Sequence, residues 1–151
     1  MYARGVNGVE LFLLGRALMK IGEEALPPPP GGTGRHPGGA RTVLVVASDV
    51  ADHPDTTVSE IVARTALPQS QVSSAVARLR EAGSVETAPD PGDRRRVLVR
   101  QAAEASARVA QVRAAGIDEA LLAALGPDGA PRLTEVTQAL DVLARNLRHA
   151  R

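Results

Sequence analysis

The 151-residue chain contains no cysteine, which excludes disulfides, thiolate metal ligands and cysteine-based redox sensing. It has no run of about 18 or more apolar residues, so the sequence predicts no membrane-spanning helix. The N-terminus lacks the signal-peptide order of basic region, apolar run and small-residue cleavage site. Together these absences predict a cytoplasmic protein.

Aromatic residues are almost absent, since Tyr2 and Phe12 are the only ones. This scarcity argues against binding of single-stranded nucleic acid, where bases stack on aromatic side chains. The three histidines, His36, His53 and His149, are scattered and show no i, i+4 pairing that would indicate a metal site. No glycine-rich phosphate loop or nucleophile elbow is present. The sequence therefore predicts no catalytic residue, no metal and no cofactor, and a protein that is not an enzyme.

The formal net charge is only +1, so any argument for binding to nucleic acid depends on local charge. Lys20 is the only lysine among 18 basic residues, and the others are arginines. Arginine forms bidentate contacts with phosphates and guanine edges. A GC-rich genome produces the same bias without any functional cause, so composition alone does not decide.

The N-terminal region predicts one long helix followed by a linker. Residues 6–26 carry an apolar seam at 3-4 spacing, formed by Leu11, Leu14, Leu18, Ile21 and Ala25. Residues 27–39 are rich in proline and glycine and predict a loop or linker. Residues 40–50 predict a short helix, although their β-branched run also fits a buried strand.

The central region predicts two helices and a hairpin. Thr57 and Glu60 form a capping box that opens the first helix, and Pro68 ends it. The second helix runs from Gln69 to Ala82 and stops at Gly83. Two strands, 85–88 and 97–101, enclose a loop of turn-forming residues.

The last third is predicted to be helical. Residues 102–125 are alanine-rich, and a break at 126–129 precedes a final helix. That helix carries a second seam: Leu133, Val136, Leu140, Leu143 and Leu147. The alternative explanation is that both seams pack within a single chain as part of its hydrophobic core. Because a winged helix needs no such extra helices to fold, we expect them to pack against a second subunit.

The predicted fold class is mainly α with a small β-hairpin wing. A winged helix-turn-helix at residues 40–101 is flanked by a helical dimerisation region, residues 1–26 and 102–151, and joined to it by the 27–39 linker. In this geometry the second helix enters the major groove of DNA. With Val72, Ala75, Val76 and Leu79 facing inward, its candidate DNA-contacting residues are Gln69, Ser70, Gln71, Ser73, Ser74 and Arg78. A solvated polar helix face is the alternative explanation.

The hairpin loop strengthens the DNA interpretation. Arg94, Arg95 and Arg96 are consecutive and cannot all pair with Asp90 and Asp93. At least one guanidinium is left for a phosphate or for the minor groove. A hairpin tip kept soluble by its charge is the alternative for an isolated case.

Residues 41–101 resemble the multiple-antibiotic-resistance regulator (MarR) family of bacterial transcription factors. DPGDRRRVLVR, residues 90–100, is similar to that family's wing motif, and PQSQVSSAVARLREAGSVE, residues 68–86, to its recognition helix and following strand. The resemblance implies a homodimer on a palindromic operator and a small-molecule pocket. It also implies that Asp93 braces the wing by pairing with Arg95. Many members carry an arginine where this chain has Gly92, so Arg94 is the candidate for the minor groove.

The leading hypothesis is a cytoplasmic, nucleoid-associated regulator that binds double-stranded DNA as a homodimer, and a repressor released by a small-molecule effector. The alternative is a winged-helix protein-interaction or architectural DNA-binding module without an effector. Acidic residues on the outer helix face would favour a protein partner, and the serine run of that helix and the arginine run of the wing disfavour it.

Overall fold

The computed structural model describes residues 5–27 and 39–148. These residues divide into two compact units, residues 39–113 in one and residues 5–27 with 114–148 in the other. The described part of the chain is mainly helical with one antiparallel hairpin, so the predicted fold class is confirmed. None of its helices is long and apolar enough to cross a membrane. The elements are α1 Gly8–Ala25, α2 Gly39–Asp52, α3 Val58–Thr65, α4 Gln69–Glu81, β1 Val85–Pro89, β2 Val97–Gln101, α5 Ala107–Ala114, α6 Asp118–Leu125, a 3-10 turn Ala130–Arg132 and α7 Leu133–Arg148.

Helix α1 begins at a capping box that fixes its first turn. The Glu10 backbone N–H donates to Asn7 Oδ1 at 3.0 Å, and the Asn7 N–H donates to Glu10 Oε2 at 2.9 Å. The helix ends at Ala25, and Leu26 is already extended before Pro27. Most of the linker predicted at 27–39 lies outside the described residues, and Gly39 at its end already belongs to α2.

Residues 39–52 form a helix, which decides the choice left open between helix and strand. Val46 and Val50, one turn apart, are fully buried. They face the centre of a core built from α2, α3, α4 and the hairpin. The β-branched run is helical because its apolar side chains bury at a spacing of four rather than two. The remaining members of this core are Ile61, Val72, Ala75, Val76, Leu79, Val85 and Val99.

The predicted start of α3 is confirmed at a capping box. The Glu60 N–H donates to Thr57 Oγ1 at 3.3 Å, and the Thr57 N–H donates to Glu60 Oε2 at 2.8 Å. The helix ends at Thr65, and the left-handed backbone of Ala66 (φ 57°, ψ 19°) turns the chain toward Pro68 and α4. Gly83, at φ 73°, follows α4 as the predicted stop.

The wing is a two-stranded antiparallel hairpin in which Val85 pairs with Gln101 and Pro89 with Val97. The loop between α2 and α3 joins the free edge of β2. There Thr56 and Val99 exchange backbone hydrogen bonds of 3.1 and 2.6 Å. This bridge attaches the wing to the start of α3.

The predicted helical segment 102–125 is not continuous, and that expectation is corrected. Helix α5 starts only after Ser106, whose hydroxyl accepts from the Val109 N–H at 3.2 Å and donates to the Ala82 carbonyl at 2.6 Å. A second break at residues 115–117 contains Gly116 and separates α5 from α6. Glycine lowers helix stability by about 1 kcal/mol relative to alanine, and the serine competes for the helix start.

In the other unit, α1 contacts α6, and α6 contacts α7. Ala120 and Leu121 of α6 are buried, whereas no residue of α1 is. The exposed large apolar side chains of α1 and α7 are Val9, Leu11, Phe12, Leu13, Leu14, Met19, Val142, Leu143 and Leu147.

Candidate nucleic-acid interface

Helix α4 presents one buried and one polar face, as its sequence predicts. Val72, Ala75, Val76 and Leu79 are buried in the core of their unit. All the side chains expected to contact DNA are exposed to solvent: Gln69, Ser70, Gln71, Ser73, Ser74 and Arg78. Three of these six side chains are serines, which are short and let the helix backbone approach a partner closely.

A cleft of about 400 Å³ lies between this face and the first turn of α2. Ser70, Gln71, Ser74 and Arg78 line one wall. Thr42, on the other wall, is a polar residue that sequence reasoning missed. No local pattern signals it, because α2 and α4 are separated in the chain by α3 and meet only in the folded unit.

The wing loop is closed by hydrogen bonds within itself. The Asp90 N–H donates to the Arg96 carbonyl at 2.9 Å, and the Arg96 N–H donates to the Asp93 carbonyl at 2.9 Å. The Gly92 N–H donates to Asp90 Oδ1 at 2.8 Å. These hydrogen bonds fix the loop within the chain itself at four residues, Asp90, Gly92, Asp93 and Arg96.

Asp93 contacts Arg95, but not through the expected ion pair. Its Oδ1 accepts from the Arg95 backbone N–H at 3.0 Å, which forms a local side-chain turn. A carboxylate that holds the backbone in this way leaves the guanidinium of Arg95 available. Gly92 has no left-handed φ, and a Cβ there meets only Asp90 Oδ1, at 3.4 Å, so this loop has room for a side chain at that position.

The three wing arginines have different surroundings. Arg94 and Arg95 are exposed, and no carboxylate of the described residues pairs with their guanidinium groups. Arg96 Nη2 instead lies 3.0 Å from Glu60 Oε1, and its Nη1 lies 3.8 Å from Asp90 Oδ2. Arg96 thus has two carboxylate partners within this chain, and its contact with DNA stays a prediction.

Glu60 connects α3 to its surroundings through both carboxylate oxygens. Its Oε2 accepts from the Thr57 N–H at 2.8 Å and from Thr56 Oγ1 at 3.1 Å. The Thr57 hydrogen bond, the Thr56 hydroxyl and the nearby Arg96 charge together lower the pKa of Glu60 below the usual glutamate value. The capping motif signals the contact with Thr57, whereas the contact with Arg96 spans 36 positions and has no sequence signal.

The histidines do not form a metal site within the described chain. No group of three or more potential ligands among histidine, cysteine, aspartate and glutamate occurs there. His53 Nδ1 lies 3.0 Å from the Asp49 carbonyl, a local contact at the end of α2. His36 and His149 lie outside the described residues.

Comparison with known proteins gives one family match and several similar folds. A model of the MarR family matches residues 48–96, and no curated protein sequence matches the chain. A transcriptional regulator from Thermotoga maritima shares the fold with a TM-score of 0.54 and 17% identity, covering 94% of this chain and 99% of that one. The YusO protein from Bacillus subtilis shares the fold with a TM-score of 0.50 and 19% identity, covering 93% of this chain and 98% of that one.

Proposed function

We propose that this chain, whose residues 48–96 match a model of the MarR family, is a transcriptional regulator that binds double-stranded DNA and is not an enzyme. One observation carries the proposal. A polar, exposed α4 and a wing with two unpaired guanidinium groups, Arg94 and Arg95, occur together in one compact unit. A helix for the major groove and cations for the phosphates are what duplex recognition requires.

In the proposed complex, α4 lies in the major groove. Gln71 is placed to bond both edge groups of adenine, and Arg78 to form a fork with guanine. Ser70, Ser73 and Ser74 serve either base type, with Gln69 at the start of the helix. Arg94 and Arg95 neutralise phosphates, and either one can enter the narrow minor groove.

We further propose that the protein acts as a homodimer. Helix α1 buries no residue in its own chain, and Leu11 and Leu14 of its seam are 61% and 45% exposed. In α7, Leu143 and Leu147 are likewise exposed. Leaving this apolar area in water is unfavourable by about 25 cal/mol per Å², and a second copy with twofold symmetry covers it. The other seam residues are half-buried: Leu18, Ile21, Leu133, Val136 and Leu140.

The match to the MarR family model supports two finer parts of the proposal, repression and response to a small molecule. A ligand releases DNA only if it binds one conformation better than the other. In a dimer, the two α4 helices must be separated by the distance between half-sites, which is one helical turn of DNA, about 34 Å. A ligand that favours a conformation with a different separation therefore releases the DNA.

Binding to the DNA upstream of the protein's own gene tests the proposal. Fluorescence anisotropy at two salt concentrations compares that duplex with a scrambled one. We expect at least about a hundredfold preference that weakens steeply with salt. Equal, weak binding to both duplexes would indicate an architectural role. Absence of binding at low salt would reject the proposal and indicate a protein-interaction module.

A further inference from the structure

We propose that Arg96 is a positioning residue that holds the wing against α3 through Glu60, and that it does not bind a DNA phosphate. The inference rests on the proposed function and divides the wing arginines into two roles. Arg94 and Arg95 contact the nucleic acid, and Arg96 fixes the place from which they do so. The observation that carries it is the position of the Arg96 guanidinium between Glu60 of α3 and Asp90 of the wing.

The backbone of Arg96 is fixed at the base of the wing loop. Its N–H donates to the Asp93 carbonyl and its carbonyl accepts from the Asp90 N–H, both at 2.9 Å. The side chain starts from this fixed point and reaches α3. A movement of the loop relative to α3 therefore breaks the contact with Glu60.

Glu60 is equally fixed at the other end. Its Oε2 is held by the Thr57 N–H and the Thr56 hydroxyl, which leaves Oε1 for Arg96. Thr56 is also the residue whose backbone pairs with Val99 of β2. The wing is thus attached to the start of α3 at two places, by a backbone bridge on β2 and by a charged hydrogen bond at the loop.

The positioning role and the phosphate-binding role of an arginine predict different effects of salt and of the Glu60 charge on DNA binding. A guanidinium whose charge is matched by two carboxylates displaces few counterions from DNA, whereas an unpaired one displaces about 0.9 per phosphate contacted. An argument from net charge alone predicts that removal of the negative charge of Glu60 strengthens DNA binding. The positioning role predicts the opposite, because the loop that carries Arg94 and Arg95 loses its attachment.

A double-mutant cycle with Glu60→Gln and Arg96→Met tests the inference. Glutamine keeps an oxygen for the Thr57 N–H, so the cap survives while the ion pair is lost. We expect each single variant to weaken specific binding by about tenfold, and the double variant to bind no more weakly than either one. For Arg96→Met we expect no change in the slope of log K, where K is the association constant for DNA, against the logarithm of the salt concentration. Arg94→Met, the matched control, lowers that slope by about 0.9.

The opposite results overturn the inference. A slope reduced by about 0.9 in Arg96→Met, additive losses, or tighter binding by Glu60→Gln would make Arg96 an ordinary phosphate ligand. Hydrogen exchange of the Asp90 and Arg96 amides in the free protein provides a readout that needs no DNA. Faster exchange in both single variants supports the attachment even where no duplex binds, and unchanged exchange in both rejects it.

Discussion

The Arg64 guanidinium on α3 meets the Asp49 carboxylate on α2 side-on, with Nε 2.9 Å from Oδ1 and Nη2 2.6 Å from Oδ2. Nη2 also donates to Thr56 Oγ1 at 2.6 Å. The hydrogen bond with Asp49 raises the pKa of Arg64, so the group is charged at every accessible pH. This contact fixes the angle between α2 and α3 and thereby the unit that carries α4.

Replacing this arginine should destabilise the protein. In Arg64→Met, the Asp49 side chain, only 9% exposed, loses its charged donor. We expect the free energy of unfolding to fall by about 1–3 kcal/mol, measured by urea denaturation. Arg80→Met, at an exposed position of α4, is the matched control and should change it by less than about 0.5 kcal/mol. Equal effects of the two variants would contradict a structural role for the Arg64–Asp49 pair.

Ala66→Gly should stabilise the protein. Ala66 adopts a left-handed backbone (φ 57°) at the end of α3, a conformation that costs residues with a Cβ about 1 kcal/mol relative to glycine. We expect a gain of about 0.5–1 kcal/mol in the free energy of unfolding. Ala77→Gly, on the exposed face of α4, should instead lower the free energy of unfolding by about 1 kcal/mol. A loss in both variants would show that the Ala66 backbone is not strained.

Leu14→Glu should convert the proposed dimer into a monomer. The substitution places a charge on an exposed apolar face that is proposed to be covered by a second copy, where an unpaired charge is strongly unfavourable. Sedimentation velocity measures the result. Val97→Glu changes a comparably exposed apolar residue in the wing and should leave the mass in solution unaltered. A dimer that survives Leu14→Glu would place the interface elsewhere.

The wing and α4 should respond differently to substitution. Arg95→Met removes a proposed phosphate contact, so it should weaken binding to all duplexes alike and lower the salt slope by about 0.9. Arg78→Met removes a proposed base contact and should relax sequence preference at one position by about 1–3 kcal/mol. Anisotropy with a panel of singly substituted operators distinguishes these outcomes. A changed base preference in Arg95→Met would contradict its assignment to phosphate.

Acid should remove the stabilisation provided by Glu60. Because folding lowers the pKa of this carboxyl, the unfolded state binds its proton first, and stability falls as the pH drops through the folded pKa. The advantage of the wild type over Glu60→Gln should therefore be full near neutral pH and shrink in the acid range below the ordinary glutamate pKa. Denaturation curves from pH 7 to pH 3 measure it. Glu104→Gln, at an exposed loop position, serves as the control, and a difference independent of pH would contradict the proposed cause.

Sequence alone determined the local features of this protein. The Thr57–Glu60 capping box, the stop at Gly83 and the strand starting at Val97 follow from the chemistry of neighbouring residues, and all three occur as predicted. The polar face of α4 follows from its helical period. Such features need only residues a few positions apart, so no tertiary information is required.

Tertiary structure decided the features that depend on distant partners. The sequence offered no partner outside the hairpin for Arg94, Arg95 or Arg96, and only the fold brings Glu60 to the third of them. The same reason explains the cleft residue Thr42, which comes to face Ser70, Gln71 and Arg78 only when α2 packs beside α4. A carboxylate and a guanidinium far apart in the chain carry no mutual signal in one sequence, because their interaction energy exists only once the backbone has folded.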